Sequence, residues 1–391
     1  MKGKYTKKLQ QTDLYNELQS NKISYYEYSL AKEQKLKNFL KKMTFKNPST
    51  NEIFKIDHNF EKKHNSYAQI INQKISTIEQ MAKRKDFTSV FITLTLPTEF
   101  HPFISKSYKD DRIYTHANPN FRFDSISEAT SEGYQFLNHI YKTFYKRVKN
   151  YLKDDLYYVK CVEPHSSMIP HMHIVLYFPY DKMDFVKGVY KRVIEHFELT
   201  QVDFQTTQFK YDISHCSRYL LKYITKDLKN GADYFLSRSY EGWKLTHKIR
   251  QITSSIIPLN MDIYKKLYYS ITNVNHTLKS KNKINSKNKV KLMLAKEEIY
   301  KKVITNGIPL YLFFQDNLFI EKRMSCIDHD FSIKHKKSIY GSKKALFKVY
   351  IDVIRDYNNN DKLRYTIENL TIKYRGIVIY KKQKFIKIQG E

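Results

Sequence analysis

Two histidines one residue apart, His171 and His173, run directly into the apolar segment 174–178. Ile174, Val175, Leu176, Tyr177 and Phe178 make that segment read as a buried strand. Strand side chains alternate between faces, so both imidazoles point the same way, about 7 Å apart along the strand. Two imidazoles so placed can grip one cation. A His-x-His pair alone is more often two buried or solvated side chains, so the surroundings decide. Pro164 and Pro170 bracket a short polar loop, and 157–163 and 171–178 therefore read as the arms of a β-hairpin. Glu163 ends the first arm, across the turn from the histidines, and offers a hard oxygen ligand; His165 is the other candidate for a third ligand. Two imidazoles and one carboxylate, with positions left for water and substrate, suit Mg²⁺ or Mn²⁺ better than a closed zinc site. No Cys-x-x-Cys pair exists, which excludes a thiolate-rich site.

A second stretch, 218–227, carries a different chemistry. On a helix, Tyr219, Lys222, Tyr223 and Lys226 share one face. A purely structural helix would more often place Leu or Ile there, although a half-buried tyrosine stripe is the plain alternative in a chain with 33 tyrosines. Beside a divalent-metal hairpin, Tyr219 and Tyr223 become candidate nucleophiles. A phenol of pKa near 10 needs activation. Lys222 and Lys226 can lower that pKa or steady the leaving oxygen, with plain phosphate contact as their alternative role.

Together, Glu-Pro-His-x(4)-Pro-His-x-His before an apolar strand, then Tyr-x-x-Lys-Tyr-x-x-Lys, resemble the HUH endonucleases, and more narrowly the two-tyrosine, gene A-type rolling-circle replication initiators of phages. The strand 91–97 is similar to that superfamily's first motif. Trp243, then 247–252 and Pro258, resemble a block that follows the tyrosine helix in gene A proteins. The resemblance covers roughly residues 85–270. One departure is the loop Ser166-Ser167-Met168-Ile169, which replaces a glycine-containing turn. The resemblance implies metal-dependent nicking of single-stranded origin DNA. Tyrosine attack would give a 5′-phosphotyrosine and a free 3′-OH, and the strand would later be rejoined. It also implies a bacterial host cytoplasm, with a host polymerase extending the 3′-OH; a host helicase is expected as a partner only because the chain lacks a motor motif. A transposase or relaxase of the same superfamily, or a non-enzymatic single-stranded nucleic-acid-binding protein, are the alternative readings.

Composition agrees with a polyanionic partner. Lys and Arg number 69 against 39 Asp and Glu, a formal charge of +30 over 391 residues. Lysines interleaved with tyrosines suit a single strand, cations meeting phosphates and rings stacking on bases. An AT-rich coding sequence would explain abundant lysine, but not its excess over acidic residues. Cys161, Cys216 and Cys326 are widely spaced and fit a reducing cytoplasm. The N-terminus leads into polar sequence, and no run of about 18 apolar residues suggests a membrane span. No Gly-x(4)-Gly-Lys-Ser/Thr loop occurs, so strand unwinding is expected to fall to a partner.

The elements that must position these residues follow an α+β order, expected as an HUH-type antiparallel sheet with packed helices. Residues 1–84 read as a basic helical region, with Leu14, Leu18 and Leu30 on one helix and Ile71, Ile75 and Ile78 on another. The endonuclease domain is expected over 85–270. In it, a strand 87–96 ends at Pro97, and 98–123 reads as a long polar loop able to cover DNA. Ser125 or Ser127 caps a helix to about residue 151. The hairpin, a helix 184–197, a strand 202–209 and the tyrosine helix then follow. A linker is expected over 275–291, rich in Lys, Asn and Ser. Residues 292–391 form a basic C-terminal region of mixed structure with no assigned role, helical over 292–305 and strand-rich over 310–319 and 365–388.

Overall fold

A computed structural model describes residues 11–46, 51, 53–107, 113–206, 234–255, 264, 266, 291, 294–295, 297–299, 301, 313–314, 317–327, 333–357, 363–382 and 386–389. The tyrosine helix, most of the linker and Pro258 lie outside them. The chain divides into two units. One takes its described residues from Met1–Lys42 and Asp57–Ile256, the other from Met43–Ile56 and Ile257–Glu391.

Among the described residues, the first unit contains these strands: β1 (Phe87–Leu94), β2 (Phe103–Ser107), β3 (Ile113–Ala117), β4 (Tyr157–Pro164), β5 (Pro170–Pro179), β6 (Val202–Thr206) and β7 (Ile252–Ser254). The described helices beside them are α1 (Gln11–Lys41), α2 (Phe60–Arg84), α3 (Ile126–Leu152), α4 (Met183–His196) and α5 (Tyr234–Thr246). Five strands form one sheet in the order β6-β1-β5-β4-β7, every neighbouring pair antiparallel. Residue parity splits each strand between two faces. Val90, Ile92, Leu94, Val162, Met172, Ile174, Leu176 and Phe178 pack with Leu137, Ile140 and Phe144 of α3 and Val186, Val189 and Val193 of α4. The other face lies against α2, which touches β1, β4 and β5 and buries Ile71, Ile75, Ile78 and Ala82. Covered on both sides, β1 and β5 are buried along nearly their whole length, which is why their sequences read as continuous apolar runs. The fold is α+β.

Of the two expected caps for α3, Ser125 fills the role: its Oγ accepts from the Glu128 amide at 3.0 Å. The Glu128 carboxylate reaches back to the Asp124 amide at 3.1 Å, one residue before the cap, and so satisfies a further donor at the helix start. Glu17 of α1 accepts from the Ile126 amide at 2.7 Å, so the first helix helps to start the third.

Helix α1 lies along α5. Ser239 donates to the Lys22 carbonyl at 2.9 Å, and buried Arg238 pairs with Glu33 while its guanidinium covers the Phe60 ring at 3.5 Å. The backbones approach so closely at Gly242 that a Cβ there would overlap the Tyr25 carbonyl. Just beyond α5, the buried His247 ring joins three helices through Tyr25 Oη and Ser131 Oγ, each at 2.7 Å. Burial lowers the His247 pKa from 6.5 to about 4, so the ring is neutral.

Residues 98–123, expected as a loop, contain regular structure. A 3-10 turn, Thr98–Phe100, is followed by the β2–β3 hairpin, whose register runs from Phe103 opposite Ala117 to Ser107 opposite Ile113. Isolated Phe and Ile residues among polar ones concealed the two-residue period. Asn118 closes the segment, its amide donating to the carbonyls of Thr98 and His101, both at 2.7 Å.

The second unit carries a five-stranded sheet in the order Ile333–Tyr340, Leu318–Ile327, Phe347–Tyr357, Leu363–Tyr374, Ile377–Lys381. All its pairs are antiparallel except Leu318–Ile327 with Phe347–Tyr357. Phe314, Phe347 and Tyr374 are fully buried in it. Met43–Lys46 pairs with both Ile53–Lys55 and Ile386–Gln389 in a small separate sheet. The expected strand character of 365–388 is present where described, but the strands at 333–340 and 347–357 were not anticipated. Among the described residues, no helix is long and apolar enough to cross a membrane.

Two stability outcomes follow. Gly242→Ala should destabilise the first unit by about 2 kcal/mol or more, since the added methyl meets backbone rather than a flexible side chain; urea unfolding measures it. His247 binds a proton in the unfolded chain between about pH 6.5 and 4 but not in the folded one. Its contribution is therefore complete above pH 6.5 and lost as pH falls toward 4. Allowing for residual solvent contact, the loss is on the order of 2 kcal/mol. His247→Gln should flatten that part of the stability–pH curve relative to the parent protein.

Candidate functional site

The β4–β5 hairpin sets Glu163 directly opposite His171 and Cys161 opposite His173, with Pro164 facing Pro170 at the turn. Glu163, His171 and His173 thus share the α2 face of the sheet. Glu163 Oε1 lies 2.9 Å from His171 Nε2 and 3.1 Å from His173 Nε2. One ligand atom from each residue falls within 4.8 Å of the others. Glu163 and His173 are buried, while His171 is partly open.

Burial alone would raise the Glu163 carboxyl, but the hydrogen bonds from His171 and His173 and their charges outweigh it and hold the group down at about 2. His173 moves downward, first through burial and then through the charge of His171, with Glu163 opposing. The arrangement is an ionised carboxylate facing two imidazoles.

Thr93 on β1 contacts His173 Nδ1 through its hydroxyl at 3.2 Å. A hydroxyl can donate or accept, so it supports either tautomer of that ring. Among the described residues, His171 Nδ1 is buried without a partner. His101, directly after the 3-10 turn, has Nε2 3.1 Å from the Leu96 carbonyl oxygen, and its ring stands 6.0 Å from that of His165. His165 is exposed, its ring 6.1 Å from that of His171. Beside it, α1, β2, β3 and the hairpin turn enclose a cavity of about 670 Å³ lined by Tyr15, Phe103, Thr115, His165 and Ser166.

The turn departs from a glycine-containing design in an explicable way. Met168 takes the left-handed backbone conformation, φ 66°, that glycine would otherwise supply. Its carbonyl accepts from the Trp243 indole at 2.9 Å and from Thr130 Oγ1 at 3.2 Å, and its side chain is 1% exposed. The tryptophan singled out in the sequence therefore anchors the turn carrying the candidate site.

The structure brings Glu163, His171 and His173 together and places His165 beside them. Tyr219, Lys222, Tyr223 and Lys226 lie outside the described residues. Sequence reasoning missed Thr93 and His101. Thr93 carried a signal, since it sits in the strand similar to the superfamily's first motif, but which residue it opposes depends on sheet register.

An antiparallel α+β core here carries a carboxylate and two imidazoles clustered closely enough to hold a metal ion. A family model described as the bacteriophage replication gene A protein matches residues 4–230, more than half of the chain, and the chain belongs to that family of phage replication initiators. Its partner is accordingly DNA. No curated protein and no solved structure matches the chain.

Trp243→Phe keeps the ring but removes the donor to Met168. It should cost about 1–2 kcal/mol in urea unfolding, with the extra exposure localised to the 164–170 turn by amide hydrogen exchange.

Proposed function

We propose that the protein is an HUH-type nicking and strand-transfer enzyme that initiates rolling-circle replication of phage DNA. The observation that carries this reading is the convergence of His171 and His173 Nε2 on Glu163 Oε1. The donor set fits Mg²⁺ or Mn²⁺: a hard carboxylate oxygen, two imidazoles and no thiolate among them. With Nε2 of His173 committed to a cation, its proton would reside on Nδ1, where Thr93 can accept it. A divalent cation bound there would supply Lewis-acid polarisation of the scissile phosphate.

The chain's residues perform the other steps. Glu163, His171 and His173 would hold the cation on the α2 face. Single-stranded origin DNA would approach past His165 and the neighbouring cavity. The phenolic oxygen of Tyr219 or Tyr223 would attack phosphorus, forming a 5′-phosphotyrosine and breaking the bond to the 3′-oxygen. That oxygen takes up a proton and leaves as the 3′-OH from which a host polymerase extends. Lys222 and Lys226 would favour the phenolate or steady the departing oxygen. The covalent bond conserves the phosphodiester, so rejoining needs no nucleotide triphosphate. Two tyrosines let one hold the first end while the other cuts again. The carboxylate–imidazole cluster favours this nuclease reading over a purely binding role. Reading the chain as an endonuclease domain at 85–270, a linker at 275–291 and a basic C-terminal region belongs to the same proposal.

A denaturing gel with labelled single-stranded origin DNA tests it. Tyr219→Phe combined with Tyr223→Phe should abolish the DNA–protein adduct while leaving DNA affinity within about twofold. His171→Ala at saturating DNA should lower the nicking rate by about 10³-fold or more. Normal cleavage by either variant would remove that residue from the mechanism. Thr93→Val should keep the fold and weaken Mn²⁺ affinity by about tenfold, read from a Mn²⁺ titration of nicking at fixed DNA.

A further inference from the structure

On the opposite face of β4 from Glu163 lies a second polar site that the nicking reaction does not use. Lys160 has even parity and turns toward α3, whereas Glu163 turns toward α2. Its side chain is only 5% exposed. The ammonium donates to Asn138 Oδ1 at 2.9 Å and sits 4.5 Å from the Tyr141 ring centroid. Among the described residues no carboxylate pairs with it. Lys160 opens into a pocket of about 550 Å³ whose wall also holds Tyr134, Asn138, His139, Lys142 and Arg250. Among the described residues, no aspartate or glutamate lines this pocket. Arg250 is fixed at its root, where its backbone amide donates to Tyr134 Oη at 3.0 Å.

A buried ammonium without a counter-charge is costly. Here the cost is compounded by two further cations: burial first, then the charges of Lys142 and Arg250, bring the Lys160 pKa down to about 8. An anion entering the pocket would neutralise all three cations at once. A phosphate group suits them, with several oxygens for the Arg250 fork, the two ammonium groups and the neighbouring amide.

We propose that this pocket between α3 and β4 is a phosphate-binding subsite that takes a backbone phosphate of the DNA strand, away from the Glu163–His171–His173 cluster. The assignment to the strand rests on the DNA-nicking reading; the anion site itself stands on the pocket. It would hold the strand where it wraps the sheet edge, fixing register without reading sequence.

Two measurements on the full chain, in chelator, separate the possibilities. The first is thermal melting in inorganic phosphate against chloride at equal ionic strength. The second is the salt dependence of binding to a single-stranded oligonucleotide by fluorescence anisotropy. Lys160→Met should melt at or above the parent temperature, because it replaces an uncompensated charge. Arg250→Ala, at an exposed position, gives a second variant should Lys160→Met fail to fold. Phosphate should raise the parent's melting temperature by several degrees but not that of either variant. Each variant should reduce the slope of log affinity against log salt by about 0.7. Phosphate stabilisation with unchanged slopes would assign the pocket to free phosphate and overturn the strand contact. No phosphate effect together with unchanged slopes would overturn the subsite, while leaving the nicking reaction intact. If the parent protein failed to bind single-stranded DNA, the nicking proposal would fall and the phosphate melts alone would decide the pocket.

Discussion

A single carboxylate facing two imidazoles is the interaction on which the first unit depends. Glu163 is buried, and a buried charge is tolerated only where partners surround it. The two hydrogen bonds from His171 and His173 hold it ionised at about 2 despite that burial. The same geometry that satisfies the charge leaves three ligand atoms crowded together. Stability and chemistry therefore make the same demand on the hairpin: Glu163 must stay opposite His171. A slip of one residue would send both histidines to the α3 face, into the apolar core.

Much of the surrounding fold prevents that slip. The sheet is covered on both faces, so parity on β4 and β5 is fixed by burial on each side. The turn between them is held from outside the sheet, by Trp243 of α5 and Thr130 of α3 on the carbonyl of Met168. Helix α5 is positioned in turn by α1 through the close approach at Gly242 and by His247 between Tyr25 and Ser131. Residues at the N-terminal end of the chain are thus connected through packing to the geometry of the hairpin. The family match begins at residue 4, in keeping with α1 belonging to the same unit as the site.

The hairpin was legible because a two-residue period and two bracketing prolines are local signals. So were α3, with its serine cap, and the helices whose apolar residues recur on one face. The support of His173 by Thr93 was not legible, because it depends on how strands distant in sequence align. Nor was the role of His247: a conspicuous histidine three residues before Arg250 is a neutral strut between helices. The hairpin at 103–117 escaped because its polar residues break the pattern that marked the central strands. In the second unit, lysine-rich strands such as Ile333–Tyr340 carry too few apolar residues to reveal their period. Lys160 was hidden for the opposite reason, a single charge within a run that otherwise reads as apolar.

The central claim is that Glu163, His171 and His173 form a divalent-metal centre. Calorimetric titration of the full chain with Mn²⁺, in parallel with His173→Ala, tests it most directly. The account predicts one equivalent of Mn²⁺ bound by the parent protein and none at that site in the variant, both melting cooperatively. Failure of folded parent protein to bind Mn²⁺, or equal binding by the variant, would contradict it and leave the cluster as a buried hydrogen-bonded brace of the hairpin.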